Sequence, residues 1–105
     1  MKRRAVIYAP EAGGDLDRIY DIVAEASSAT TANRYDQRIR AFCERLEYGS
    51  ERGTRRDDVR PELRIIGLER RVTIAFIVEF ERVVILRVFY GGADWQDDLA
   101  EGDAR

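Results

Sequence analysis

Arg64, Arg71 and Arg87 are the side chains in this sequence best suited to chemistry on an anion. A guanidinium is a planar fork of donors that matches a phosphate or a carboxylate. Period-two alternation decides where they point. Val72, Ile74, Phe76 and Val78 are apolar at even positions of one segment, and Val84, Leu86, Val88 and Tyr90 at even positions of the next. These even faces are expected to meet the core. Arg64, Arg71 and Arg87 are then expected to gather on the opposite face, with Arg87 opposite Thr73 or Ala75 and near-diagonal to Arg71. Clustered like charges invite an anionic partner. The competing reading pairs each arginine with a nearby acid, Glu62, Glu69 or Glu79, on a solvated sheet face. A bulge would also move one residue to the other face. Tyr90 and Trp95 complete the set of candidates. Tyr90 lies on the apolar parity, as a core ring with its hydroxyl at the rim or as a target contact. Trp95, after Gly91-Gly92, packs back on the sheet or anchors a partner.

Much other chemistry is excluded by counting. The 105 residues contain no histidine, which removes the Ser-His-Asp triad, the Cys-His pair and histidine acid–base catalysis. The single cysteine, Cys43, forms no internal disulfide and no cysteine metal cluster. It adjoins a helical apolar stripe, as a buried thiol rather than a nucleophile. No metal site and no cofactor are expected. One cysteine and no membrane-length apolar run lead to a cytoplasmic expectation, with no membrane partner.

The net charge of −2 hides an asymmetry. All the basic residues except Lys2 are arginine, and Asp94, Asp97, Asp98, Glu101 and Asp103 crowd the last segment. The body therefore carries a small positive excess. It is not the charge of a general nucleic-acid binder. Arg52, Arg55, Arg56 and Arg60 are interrupted by Asp57 and Asp58, which reads as a solvated loop with local ion pairs.

The positioning elements follow from pattern. Arg3 to Tyr8 reads as a strand, and Pro10 with Glu11 opens a helix. Leu16, Ile19, Tyr20, Val23 and Ala24 share one face of it. Asp15 is an alternative cap for a later start. Thr30 or Thr31 is expected to cap a second helix with the stripe Tyr35, Ile39, Phe42, Leu46, and Gly49 to end it. Residues 49–61 read as a loop. Leu63–Leu68, Arg71–Phe80 and Arg82–Tyr90 read as strands, the last two joined by a tight hairpin near Glu79 to Arg82. The expectation is a single domain over residues 1–92, an acidic tail over 93–105, and an α+β fold. An antiparallel helix hairpin would cover one face of a mostly antiparallel four-stranded sheet.

Several runs resemble the RelE/ParE family of toxins from type II toxin–antitoxin, or plasmid-stabilization, systems. They are Tyr8-Ala9-Pro10-Glu11-Ala12, Phe42-Cys43-Glu44-Arg45-Leu46, Glu69-Arg70-Arg71-Val72-Thr73-Ile74-Ala75-Phe76, and Arg82 through Gly92. The resemblance implies a bacterial β-α-α-β-β-β toxin neutralised by a cognate antitoxin. In the ParE-type branch the target is DNA gyrase, inhibited by binding rather than catalysis. In the RelE-type branch the toxin is an endoribonuclease that cuts mRNA on the ribosome. For that second activity the resemblance implies Arg64 and Arg71 as phosphate-stabilising residues, and the shared face expected above adds Arg87. It also implies an arginine after the last strand and a C-terminal tyrosine, where this chain has Gly91-Gly92-Ala93 and Leu99. The ParE-type branch is therefore favoured. A degenerate, non-toxic antitoxin-binding domain is the remaining alternative, because Ala93 stands where a basic residue is common.

Overall fold

A computed structural model of the chain describes residues 2–91. Strand β1 (Ala5–Tyr8) leads into helix α1 (Pro10–Ala26), with Pro10 in the first turn, where its missing N–H is no loss. Helix α2 (Ala29–Glu44) follows after a short break and ends in a 3-10 turn, Arg45–Glu47. Ser28, not Thr30 or Thr31, caps α2: its hydroxyl accepts from the Thr31 N–H at 3.1 Å. Asp15 caps nothing and lies buried inside α1.

Three strands then form an antiparallel run: β3 (Arg64–Leu68), β4 (Val72–Val78) and β5 (Arg82–Tyr90). The loop before them adds a short strand, β2 (Thr54–Arg55), against β3. The sheet is therefore five-stranded, in the order β1-β5-β4-β3-β2, with β1 parallel to β5. The fold is α+β, as expected, and the extra strand is two residues long.

Both helices lie on one face. Ala12, Leu16 and Ile19 of α1 and Ile39 and Cys43 of α2 pack with Val72, Ile74, Phe76, Val83, Ile85 and Val88. Phe42, expected in the same stripe, is half-buried outside this cluster. The alternation in β4 is as read from the sequence, but that in β5 is broken. Ala75 pairs with Arg87 and Phe76 with Ile85, so Leu86 is an extra residue at a bulge. Val83 and Ile85 face the helices before it, and Val88 and Tyr90 after it. Leu86 packs instead with Leu63, Ala75 and Phe89 on the second face, where Val59 and Ile65 also contribute.

Candidate functional site

The bulge changes the arrangement expected for Arg64, Arg71 and Arg87. Arg64 pairs directly with Phe76, so it shares the helix-side face rather than the opposite one. Its guanidinium lies 3.4 Å from the Arg52 carbonyl oxygen. Arg87 reaches back to α1 and holds Asp15 through two bonds, of 2.8 and 3.0 Å. Arg71 is exposed, immediately before β4. The three arginines therefore do not share one open face. The β3–β4 register turns Arg64 to the helix side, and the bulge at Leu86 with a long-range carboxylate in α1 accounts for Arg87.

Asp15 is the residue that sequence reasoning missed. The residue is 2% exposed, and its carboxylate accepts from the Val88 N–H at 2.8 Å and also meets Arg18 at 3.0 Å. β1 ends at Tyr8, whose partner is Ile85, and the Ala9 N–H still donates to the Ile85 carbonyl. Past that point Asp15 supplies the acceptor that a further β1 residue would have supplied. One signal was available in the sequence: Asp15 falls on the buried stripe Ala12, Leu16, Ile19. A carboxylate at such a position requires a cation partner.

Arg71 and Tyr90 do come together. Val72 pairs with Tyr90, and the Gly91 N–H donates to the Arg71 carbonyl at 2.8 Å. The Tyr90 ring meets Tyr35 of α2 edge to face, with centroids 6.0 Å apart. Burial, then the neighbouring Tyr90 and Glu69, raise the Tyr35 phenol above its ordinary range, while Arg38 and Arg71 pull it down. Arg38 crosses the Tyr35 ring at 5.2 Å and clamps Glu69 through two bonds, of 2.9 and 3.0 Å. Glu69 and Arg70 occupy the β3–β4 turn with φ of 49° and 70°. Two consecutive left-handed residues without a glycine are strained, by about 1–3 kcal/mol each. The result is an aromatic pair flanked by Arg38 and Arg71 at one end of the sheet. Among the described residues, Arg70 and Arg71 form no ion pair. This surface is equipped to bind an anionic or aromatic partner.

The remaining candidates are structural. Arg55 pairs with Asp57 and Arg56 with Asp58, as the charge pattern suggested. The Arg55 side-chain bond and the Glu62 N–H hold the Asp57 carboxyl near 2, well below its ordinary range. Cys43 is fully buried, and burial pushes its thiol up to about 11. Burial, with Cys43 and Glu44 beside it, also raises the Tyr8 phenol. In the native protein at pH 8, Cys43 is expected to resist iodoacetamide until denaturant is added; rapid native alkylation followed by mass spectrometry would show otherwise. Among the described residues no cluster of three or more His, Cys, Asp or Glu side chains is placed to hold a metal ion. No helix among them is long and apolar enough to cross a membrane. Trp95, Ala93 and Leu99, and the acidic segment 93–105 as a whole, lie outside the described residues.

The family model of the ParE toxin of type II toxin–antitoxin systems, parDE, matches residues 6–95. The chain belongs to the ParE toxin family. Among solved structures it is similar to one described as the chromosomal ParDE TA system from P. aeruginosa, with a TM-score of 0.74 and 26% identity. That match covers 85% of this chain and 97% of the other. No curated protein matches the sequence. The ParE match spans β1 to the end of β5, so it includes Asp15, the Tyr35–Tyr90 pair, Arg71 and the bulged strand. A ParE toxin is the class in which the Arg71 surface has to be understood.

Proposed function

We propose that this ParE-family toxin acts in the cytoplasm by binding and inhibiting DNA gyrase, and that a cognate antitoxin neutralises it. The family match over residues 6–95 carries the reading. The disposition of the arginines supports binding over phosphodiester cleavage. A ribonuclease would use Arg64, Arg71 and Arg87 together on one phosphate. Here Arg87 is engaged with Asp15, and Arg64 lies on the face opposite to that expected. The exposed Arg71 beside Tyr35 and Tyr90 is the proposed target contact. The antitoxin would cover the flank of the helix pair and a sheet edge.

The test is a gyrase supercoiling assay with purified protein. Inhibition is expected, and Arg71→Glu should raise the half-inhibitory concentration at least about tenfold, as loss of an interface arginine does. Intact supercoiling at saturating protein would overturn gyrase as the target. Ribosome-dependent mRNA cleavage that disappears in Arg71→Ala would replace it with the endoribonuclease reading. Antitoxin binding without either activity would leave a degenerate toxin.

A further inference from the structure

The pattern of β5 does not by itself decide which of its sides faces the helices. The sheet is apolar on both faces: Val72, Ile74 and Val88 pack beneath the helices, and Leu63, Ala75 and Phe89 form a second core on the other side. From Val83 to Tyr90 every residue except Arg87 is apolar or aromatic, so either parity would bury well. An unbroken ladder is therefore a close competitor. Continued past the Phe76–Ile85 pair without an extra residue, it would set Leu86 against Ala75, Arg87 against Ile74 and Phe89 against Val72. Phe89 would then take the place of Tyr90 beneath the helices, and Tyr90 would turn to the other face. The observed strand instead carries a bulge at Leu86.

Arg87 separates the two registers. In the unbroken ladder its guanidinium would turn into a core where Ile74 is 0% and Val72 2% exposed. In the bulged strand it pairs with Ala75 on the second face, with its guanidinium over the Phe89 ring at 4.8 Å. From there it reaches round the edge of β5 to Asp15. That edge is open because β1 makes its last pair with Ile85. The same carboxylate accepts from the Val88 N–H, so one buried acid grips β5 by a side chain and by the backbone just past the bulge.

We propose that the Asp15–Arg87 pair fixes the register of β5 and thereby positions Tyr90 beside Tyr35 and Arg71. Both are positioning residues, which act through the strand and touch no target. Apolar residues of similar size often replace a buried ion pair with no loss of stability; the better attested use of such a pair is to select one packing over a competitor. The functional consequence rests on the reading above, in which Arg71 with Tyr35 and Tyr90 is the target contact. The placement of Tyr90 does not depend on that reading.

The test compares three chains by nuclear Overhauser spectroscopy and by the supercoiling assay. They are the wild type, Asp15→Leu/Arg87→Leu, and that double variant with Leu86 deleted. Removing both charges together leaves neither partner of the pair stranded. Circular dichroism and a cooperative urea transition confirm folding. The wild type is expected to give Tyr35–Tyr90 ring cross-peaks. In the double variant Tyr35–Phe89 cross-peaks should replace them, and the half-inhibitory concentration for gyrase should rise about tenfold. Deleting Leu86 makes the ladder regular while Tyr90 stays opposite Val72. It should restore the Tyr35–Tyr90 contact and bring inhibition back to within about threefold of the wild type, which no loss of stability alone would do. If the double variant does not fold, both readings are made on Arg87→Leu, in which Arg18 and the Val88 N–H still serve Asp15. Tyr35–Tyr90 cross-peaks undiminished by loss of the pair would overturn the proposal. So would cross-peaks that are lost and not restored by the deletion. A wild type that shows the ring contact and leaves gyrase untouched would remove the gyrase reading alone, so the two failures are distinguishable.

Discussion

Asp15→Ala is expected to lower folding stability by about 3–5 kcal/mol, the range for removing one partner of a buried ion pair. The carboxylate accepts from the Arg87 guanidinium twice, from Arg18, and from the Val88 N–H. Its removal strands that N–H and takes from the partly buried Arg87 the carboxylate it holds through two bonds. The effect exceeds what a surface pair gives, because the Asp15 side chain is only 3% exposed and the Arg87 side chain 23%. Arg87→Ala should do less harm, since Arg18 and the Val88 N–H still serve the carboxylate. Urea denaturation of the two single variants and the double variant closes the cycle. The double variant should be less destabilised than the sum of the singles by at least about 1 kcal/mol. A loss below about 1 kcal/mol in Asp15→Ala would show that the contact is not what ties α1 to β5.

Gly53→Ala is expected to detach the loop from the sheet, at about 2–4 kcal/mol. Gly53 has φ of +75°, a region that alanine adopts only under strain. The added methyl would also overlap the carbonyl of Ile65, which is backbone of β3 and cannot swing aside. The neighbouring β2 pairs with Ile65 and Arg64, so the clash falls on the ladder that holds residues 54–55 in place. Amide exchange should therefore speed up at Thr54 and Ile65 before the rest of the sheet. Gly13→Ala and Gly14→Ala serve as controls, because no atom lies near either new methyl. They should be neutral or stabilising by up to about 1 kcal/mol within the helix. Equal behaviour of all three variants would remove the steric argument.

The element order was legible in the sequence because each element carries its own local signal. Pro10 opens α1, apolar residues recur at helical spacing in α2, and β-branched residues alternate in β4. Local pattern does not carry information about pairing between distant segments. Leu86 is an ordinary strand residue until its neighbours Ile85 and Arg87 are matched to Phe76 and Ala75. Only then does the parity of β5 invert and the supposed arginine face dissolve. Local pattern offers the arginines Glu62, Glu69 and Glu79, whereas the carboxylate that Arg87 holds lies in α1, 72 residues away. Tyr90 keeps the helix-side face that parity gave it because it lies past the bulge, where even positions of β5 pair with even positions of β4.

The sheet places the first strand beside the last. Ala5 to Tyr8 gain their ladder partners only from Arg82 to Ile85. A ribosome adds about 5–20 residues per second, so roughly 5–20 s of synthesis separate the start of the chain from a complete sheet. Until then the apolar side of α1 and α2 has no full cover, and the Val88 N–H that Asp15 will hold does not exist. A nascent copy therefore cannot complete this ParE-family fold until most of the chain has been made. Chains stopped before Arg82 should show no cooperative unfolding transition. That interval is fixed by topology, because β1 has no strand partner but β5.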